Sequence, residues 1–202
     1  MSDLKKLYLD IHNKMKSEHG FSAKALWGSE QSQRIRFEVL TKCMGSSDSK
    51  LKILDVGSGL AHLNSFLLDK GFEIDYTGIE INSSFIEQSK EAFPDANFIL
   101  GDVNQLINNE NVFDYSFASG IYNLGDKVQT QTAFVHDFKI IFNRTTIAVA
   151  VNFLSSNSKN QDGVSVYHKS SEIISLVEKH FSTRYELYHN YLPNDFTIII
   201  WK

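Results

Sequence analysis

Two glycines and a series of strand-end acids stand at spacings suited to cradling a ligand. Gly57 and Gly59 bracket Ser58 directly after the apolar run Ile53-Leu54-Asp55-Val56. Glycine lets the backbone turn through left-handed conformations and approach a ligand closely. Glu80 stands near the end of a second apolar run, Ile74 to Ile81, where a carboxylate can accept hydrogen bonds from ribose hydroxyls. Between the two runs Leu60, Leu63, Phe66, Leu67 and Leu68 recur at helical spacing. The stretch 51–82 therefore reads as strand, glycine turn, helix and strand, a βαβ unit with a nucleotide pocket at its open end. Asp102 follows the run Asn97 to Leu100, and Ser119-Gly120 follow the run Val112 to Ala118, so two more strand ends carry polar residues.

The rest of the chain supplies the elements that must hold these residues in place. Leu4, Leu7, Tyr8, Ile11 and Met15 mark an amphipathic helix ending near Gly20. A second helix has Ser29 as its N-cap and Ile35, Val39, Leu40 and Cys43 as its apolar stripe. The polar linker Gly45 to Lys50 leads into the first strand. Asn82 caps a helix that Pro94 ends, and Asp126 to Phe142 form another. Thr145 to Phe153 is almost continuously apolar, as expected of a parallel strand covered on both faces. A polar loop over 155–163, expected to be mobile, precedes a helix capped by Ser170 or Ser171. Tyr185 to His189 and Phe196 to Trp201 then form a hairpin through the turn Leu192-Pro193-Asn194-Asp195. The expected fold is α/β, a Rossmann-like, doubly wound, mostly parallel seven-stranded sheet with an antiparallel closing strand and an N-terminal helical cap. Residues 1–202 are expected to form one domain, with 1–45 as the cap and 50–202 as the nucleotide-binding core.

Composition narrows the function classes. Twenty basic against 24 acidic residues give a net charge of -4, with no dense basic run to meet nucleic acid or an anionic membrane. A lone cysteine, Cys43, excludes an internal disulfide and a cysteine-rich zinc site. No His or carboxylate cluster has metal-ligand spacing, so no metal is expected. The N-terminus lacks an apolar signal segment and no run is long enough to span a membrane, so a cytoplasmic protein is expected.

The glycine loop itself discriminates between nucleotides. A dinucleotide fingerprint requires G-x-G-x-x-G, but here His62 fills the third glycine slot, where helix and strand must meet. The pattern LDVGSGLA, with GIE about twenty residues on and GD after a third strand, resembles instead the class I S-adenosylmethionine-dependent methyltransferases. That family's loop, D/E-x-G-x-G-x-(G/A), is matched by Asp55, Gly57, Gly59 and Ala61. The resemblance implies that Glu80 binds ribose, that Asp102 hydrogen-bonds the adenine amino group, and that Ser119-Gly120 pass under the methionine moiety. Ser58, Ile81 and Val103 complete the implied cofactor site. The closing hairpin fits the same family. The preface HGFSAKALWGSEQSQRIRFEVL and the tail YLPNDFTIII are similar to small bacterial methyltransferases of polysaccharide or secondary-metabolite pathways, which implies that Trp27, Gln33 and Arg36 face the cofactor. An arginine fork suits the carboxylate of its zwitterionic end.

The implied reaction is methyl transfer to a small-molecule acceptor, a sugar or biosynthetic intermediate, with S-adenosylhomocysteine as product. It needs alignment, exclusion of water and, for some acceptors, removal of a proton. His168, after the polar loop, and Tyr191 are the candidate catalytic groups, ahead of His136, expected to be structural or exposed, and His189. Asn152, Tyr122 and Asn123 would border the pocket, and Asp195 is expected to serve the hairpin turn. The proline-containing motif of base-amine methyltransferases is absent after the fourth strand, where Ser119-Gly120-Ile121-Tyr122 stand. A non-catalytic S-adenosylmethionine-binding subunit and a nicotinamide-dependent oxidoreductase are the alternatives.

Overall fold

A computed structural model describes residues 3–20, 29–45, 49–108 and 110–202. Seven strands form one sheet: β1 (Leu51–Val56), β2 (Ile74–Glu80), β3 (Asn97–Leu100), β4 (Phe113–Ala118), β5 (Thr145–Leu154), β6 (Tyr185–Tyr188) and β7 (Asp195–Trp201), in the order β3-β2-β1-β4-β5-β7-β6. The first five pair in parallel, and β7 runs antiparallel to both β5 and β6. Among the described residues six α-helices accompany them: α1 (Asp3–His19), α2 (Glu30–Leu40), α3 (His62–Asp69), α4 (Ser83–Ala92), α5 (Lys127–Asn143) and α6 (Ser170–His180).

Strand periodicity sorts the apolar residues onto two faces. Leu54, Ala118, Val149, Val151, Ile198 and Ile200 point to one core, which Phe134 and Phe138 of α5 and Ile173 and Val177 of α6 complete. Ile53, Phe117, Ala148, Ala150 and Ile199 point to the other, met by Phe37 and Leu40 of α2 and by Leu63, Phe66 and Leu67 of α3. A sheet covered on both faces explains why β5 is apolar without alternation. The strand order reverses between β1 and β4. In open α/β sheets that switch leaves a crevice at the carboxyl ends of the strands.

Three local details depart from the sequence expectation. The stripe of α2 buries Phe37 with Val39 and Leu40 while Ile35 is only half-buried, because Gln33, Phe37 and Leu40 share the inward face. Asp195 opens β7, paired with Leu154, instead of serving the turn alone. The 155–163 loop is braced: Ser158 Oγ donates to Asn194 Oδ1 at 2.6 Å and Ser155 N donates to Asn194 O at 2.8 Å.

Candidate active site

Beyond Val56 the chain turns through left-handed φ angles of +73° at Gly57, +54° at Gly59 and +56° at Ala61. Gly57 and Ser58 both donate their N–H groups to Ile79 O, at 2.8 and 3.0 Å, so the loop stays fastened to β2 as it turns. A Cβ on Gly57 would lie 2.2 Å from Ile121 Cγ2, so only glycine lets this loop meet the tip of β4.

Glu80 locks the loop from the side. Its Oε2 accepts from Gly59 N at 3.0 Å and its Oε1 from Asn82 N at 2.8 Å, in a site where the residue is only 3% exposed. Burial raises its pKa against the opposing pull of the N–H groups of Asn82, Gly59 and Ile81. A carboxylate offers about four acceptor directions, so capacity remains for hydroxyl donors of a ligand. Asp55, one strand over, is held by Tyr76 Oη, which donates to it at 2.5 Å. Burial pushes the Asp55 carboxyl up to about 7, the Tyr76 hydrogen bond pulls it down, and the nearby Glu80 charge raises it further.

The other strand ends are pinned by side chains. Asp102 caps the short turn Val103–Leu106, accepting from Asn104 N at 3.0 Å and Asn104 Nδ2 at 2.8 Å, and pairs with Lys5 Nζ at 3.2 Å. Burial works to raise its pKa, but the hydrogen bonds from Asn104 and Lys5 outweigh it and the net shift is downward. Asn152 of β5 ties down the end of β4: Gly120 N donates to its Oδ1 at 2.8 Å, and its Nδ2 donates to Ser119 Oγ at 3.0 Å.

These ends surround a cavity of about 910 Å³ over the switch point. From the glycine loop Asp55, Gly57, Ser58 and Gly59 line it, and from the β2 and β3 ends Glu80, Ile81, Asp102 and Val103 do so. Ser119 and Gly120 contribute from β4, and Gln33 and Arg36 from α2. Trp27 lies outside the described residues. Gln33 and Arg36 reach the cavity already engaged with the protein. Gln33 Nε2 lies 3.0 Å from His62 Nδ1, and Arg36 meets Asp195 through Nε at 2.7 Å and Nη2 at 3.0 Å.

The two expected catalytic groups do not line the cavity. His168 is fully buried, with Nε2 2.9 Å from Tyr122 O and its ring packed against Phe153 at 5.2 Å. It joins the 155–168 loop to the β4 end. Tyr191 Oη pairs with Thr197 Oγ1 at 2.7 Å, and burial raises its pKa. Instead α1 and α5 bring Tyr8 and Met15, expected as an apolar helix stripe, His136, expected to be structural or exposed, and two groups the sequence did not single out, His12 and Asp137. Tyr8, His12 and Met15 line the cavity from α1, and His136 and the mostly buried Asp137 from α5. Tyr8 and His12, four apart, signal one helix face, although Tyr8 reads as ordinary core. Its hydroxyl is a clasp, donating to Ile121 O at 2.5 Å and accepting from Asn123 N and Leu124 N, each at 3.1 Å. Among the described residues no group of three or more His, Cys, Asp or Glu is placed to hold a metal ion, and no helix is long and apolar enough to cross a membrane.

Comparison with known proteins places this geometry in a family. Residues 47–174 match a family model described as a methyltransferase domain. A Mycobacterium tuberculosis protein named as a methyltransferase, Rv1506c, is 28% identical over 160 residues, covering 74% of this chain and 92% of the relative. Magnesium protoporphyrin IX methyltransferase from Synechocystis PCC 6803, solved with bound S-adenosylmethionine, superposes with a TM-score of 0.67 at 12% identity, over 100% of this chain and 98% of that one. A SAM-dependent methyltransferase from Archaeoglobus fulgidus gives 0.65 at 12% identity, over 87% and 95%. At these identities the structural likeness carries the fold, while the matched family model spans the glycine loop, Glu80, Asp102 and β5. The chain belongs to the methyltransferase-domain family and is an S-adenosylmethionine-dependent methyltransferase of the class I fold.

Proposed function

We propose that the chain methylates a small molecule, a sugar or biosynthetic intermediate, with residues 1–202 acting as one unit in which 1–45 cap the site. The observation that carries the cofactor assignment is Glu80: a buried strand-tip carboxylate, fastened to the glycine loop yet retaining acceptor capacity toward the cavity. That carboxylate can accept from the hydroxyls of a ribose diol. Asp102 takes the adenine amino group, Ile81 and Val103 flank the base, and Ser119 and Gly120 lie beneath the methionine end. Asp55, Gly57, Ser58 and Gly59 let the backbone approach the centre of the cofactor, and Gln33 and Arg36 face its amino-acid end. The net charge of -4 favours a small acceptor over nucleic acid.

S-adenosylmethionine, when bound, supplies an electrophilic methyl group on a sulfonium. The chain's own contribution is positioning and dehydration. α1 closes over the strand ends and shields them from water. Gln33 donates to His62 Nδ1, which leaves the ring proton on Nε2, and burial lowers the His62 pKa, so this residue presents a donor to the cavity. Glu80→Ala and Gly57→Leu should each weaken S-adenosylmethionine binding tenfold or more, about 1.4 kcal/mol, by calorimetry. Unchanged affinity in both variants refutes the cofactor site. A screen of sugars and biosynthetic intermediates for S-adenosylhomocysteine release tests the acceptor class, and turnover on nucleic acid alone refutes it.

A further inference from the structure

α1 runs past the ends of β3, β2 and β4. Lys5 reaches Asp102 beyond β3, Tyr8 clasps the segment 121–124 beyond β4, and Lys16 Nζ donates to Ser84 Oγ at 3.0 Å beyond β2. His12 sits among these anchors and lines the cavity, yet its buried Nδ1 has no hydrogen-bond partner among the described residues. Its location is bracketed closely. The next residue, Asn13, accepts from Asn82 Nδ2 at 3.1 Å, two positions past Glu80, and the His12 ring lies 5.8 Å from Phe85 and 6.1 Å from Tyr8. His12 therefore stands over the end of β2, on the same corner of the cavity as Glu80.

The ring chemistry points the same way. Nδ1 is buried without a hydrogen-bond partner, so a proton there would stay unsatisfied, whereas a proton on Nε2 can be met by a ligand in the cavity that His12 lines. Burial lowers the His12 pKa, which keeps the ring neutral near pH 7. A ribose hydroxyl both donates and accepts. Glu80 can only accept from it, so the hydroxyl oxygen still needs a donor in a site that excludes water.

We propose that His12 is a second ribose contact for bound S-adenosylmethionine, donating from Nε2 to a hydroxyl oxygen whose own proton is directed at Glu80. This rests on the assignment of Glu80 to the ribose. The test is calorimetry with S-adenosylhomocysteine on the full chain and on three variants. His12→Phe keeps a ring against Tyr8 and Phe85 but has no donor, and should bind about tenfold more weakly, whereas His12→Gln, which carries an amide N–H to about the position of Nε2, should stay within about threefold of the parent. Equal affinity of His12→Phe and the parent, with Glu80→Ala weakened, overturns the His12 contact and leaves the Glu80 assignment standing. Equal losses in the Phe and Gln variants also overturn it, since a donor would then be irrelevant. If Glu80→Ala binds like the parent, the cofactor reading falls as well.

Discussion

Tyr8→Phe removes a single oxygen and with it the clasp between α1 and the β4 end. The hydroxyl makes three hydrogen bonds, one given to Ile121 O and two received from the N–H groups of Asn123 and Leu124. Phenylalanine keeps the ring and its edge contact with His12. At about 1 kcal/mol net per bond the loss is about 3 kcal/mol if the freed groups stay dry, and about 2 kcal/mol if water from the cavity reaches the two amides. With a urea slope of about 2–3 kcal/mol/M the midpoint should fall by about 1 M. Hydrogen exchange at Asn123 and Leu124 should rise together with that in α1. Burial pushes the Tyr8 hydroxyl up to about 12, so it stays protonated and the effect should be the same from pH 6 to 9. S-adenosylhomocysteine affinity should drop in parallel, because the closed position of α1 is what the clasp maintains. A midpoint within about 0.2 M of the parent and unchanged exchange at 123–124 would refute this account of how α1 is held.

Two further outcomes follow from the buried groups. Asp55 has its folded pKa raised from 3.8 to about 7, so its favourable contribution is fully present below 3.8 and is lost as pH rises toward and through 7. Melting temperatures of Asp55→Asn should therefore decline less than those of the parent between pH 4 and pH 8, leaving only the slope from Glu80 and other acids; parallel curves would contradict the assignment. His168→Leu should lower stability by about 1–3 kcal/mol through the unpaired Tyr122 carbonyl, yet leave S-adenosylhomocysteine affinity within about threefold. A stable variant that had lost cofactor binding would return His168 to the site.

What could be read from the sequence was whatever depends on near neighbours. Apolar runs marked the strands, Ser29 and Asn82 marked helix starts that the structure caps through Ser32 N and Ser84 N, and the glycine loop marked its own turn. Contacts across long stretches of chain were hidden. Asp195 follows Leu192-Pro193-Asn194 and looks like turn chemistry, but folding buries it against the half-buried Arg36, 159 positions away. His168, placed after the polar loop, is expected as a catalytic group, but folding buries it and brings its Nε2 to a carbonyl 46 positions away. Gln33 is expected to face the cofactor and does line the cavity, but only the fold shows that it also sits on the inward face of α2, where His62 satisfies it. His12 carries no signal in isolation, since its meaning depends on Asn82 and Phe85 lying beneath α1.

The two N-terminal helices are held by different forces, and this bears on how the cofactor enters. α2 buries Phe37, Val39 and Leu40 in the sheet's core and is fixed to β7 by the Arg36–Asp195 fork, so it behaves as a wall. Among the described side chains of α1 only Tyr8 is buried, and Lys5, Asn13 and Lys16 add polar contacts from exposed or half-buried positions. Partly exposed polar pairs of that kind contribute about 0–1 kcal/mol each. Opening α1 therefore costs little beyond the Tyr8 clasp, whereas opening α2 means exposing core. Local opening follows the weakest docking, so hydrogen exchange is expected to be faster in α1 than in α2, as it must be if α1 lifts to admit a nucleoside-sized ligand. Contacts made only when α1 is down then strengthen binding and slow release together, because the free energy they add to the bound state must be given up before product leaves.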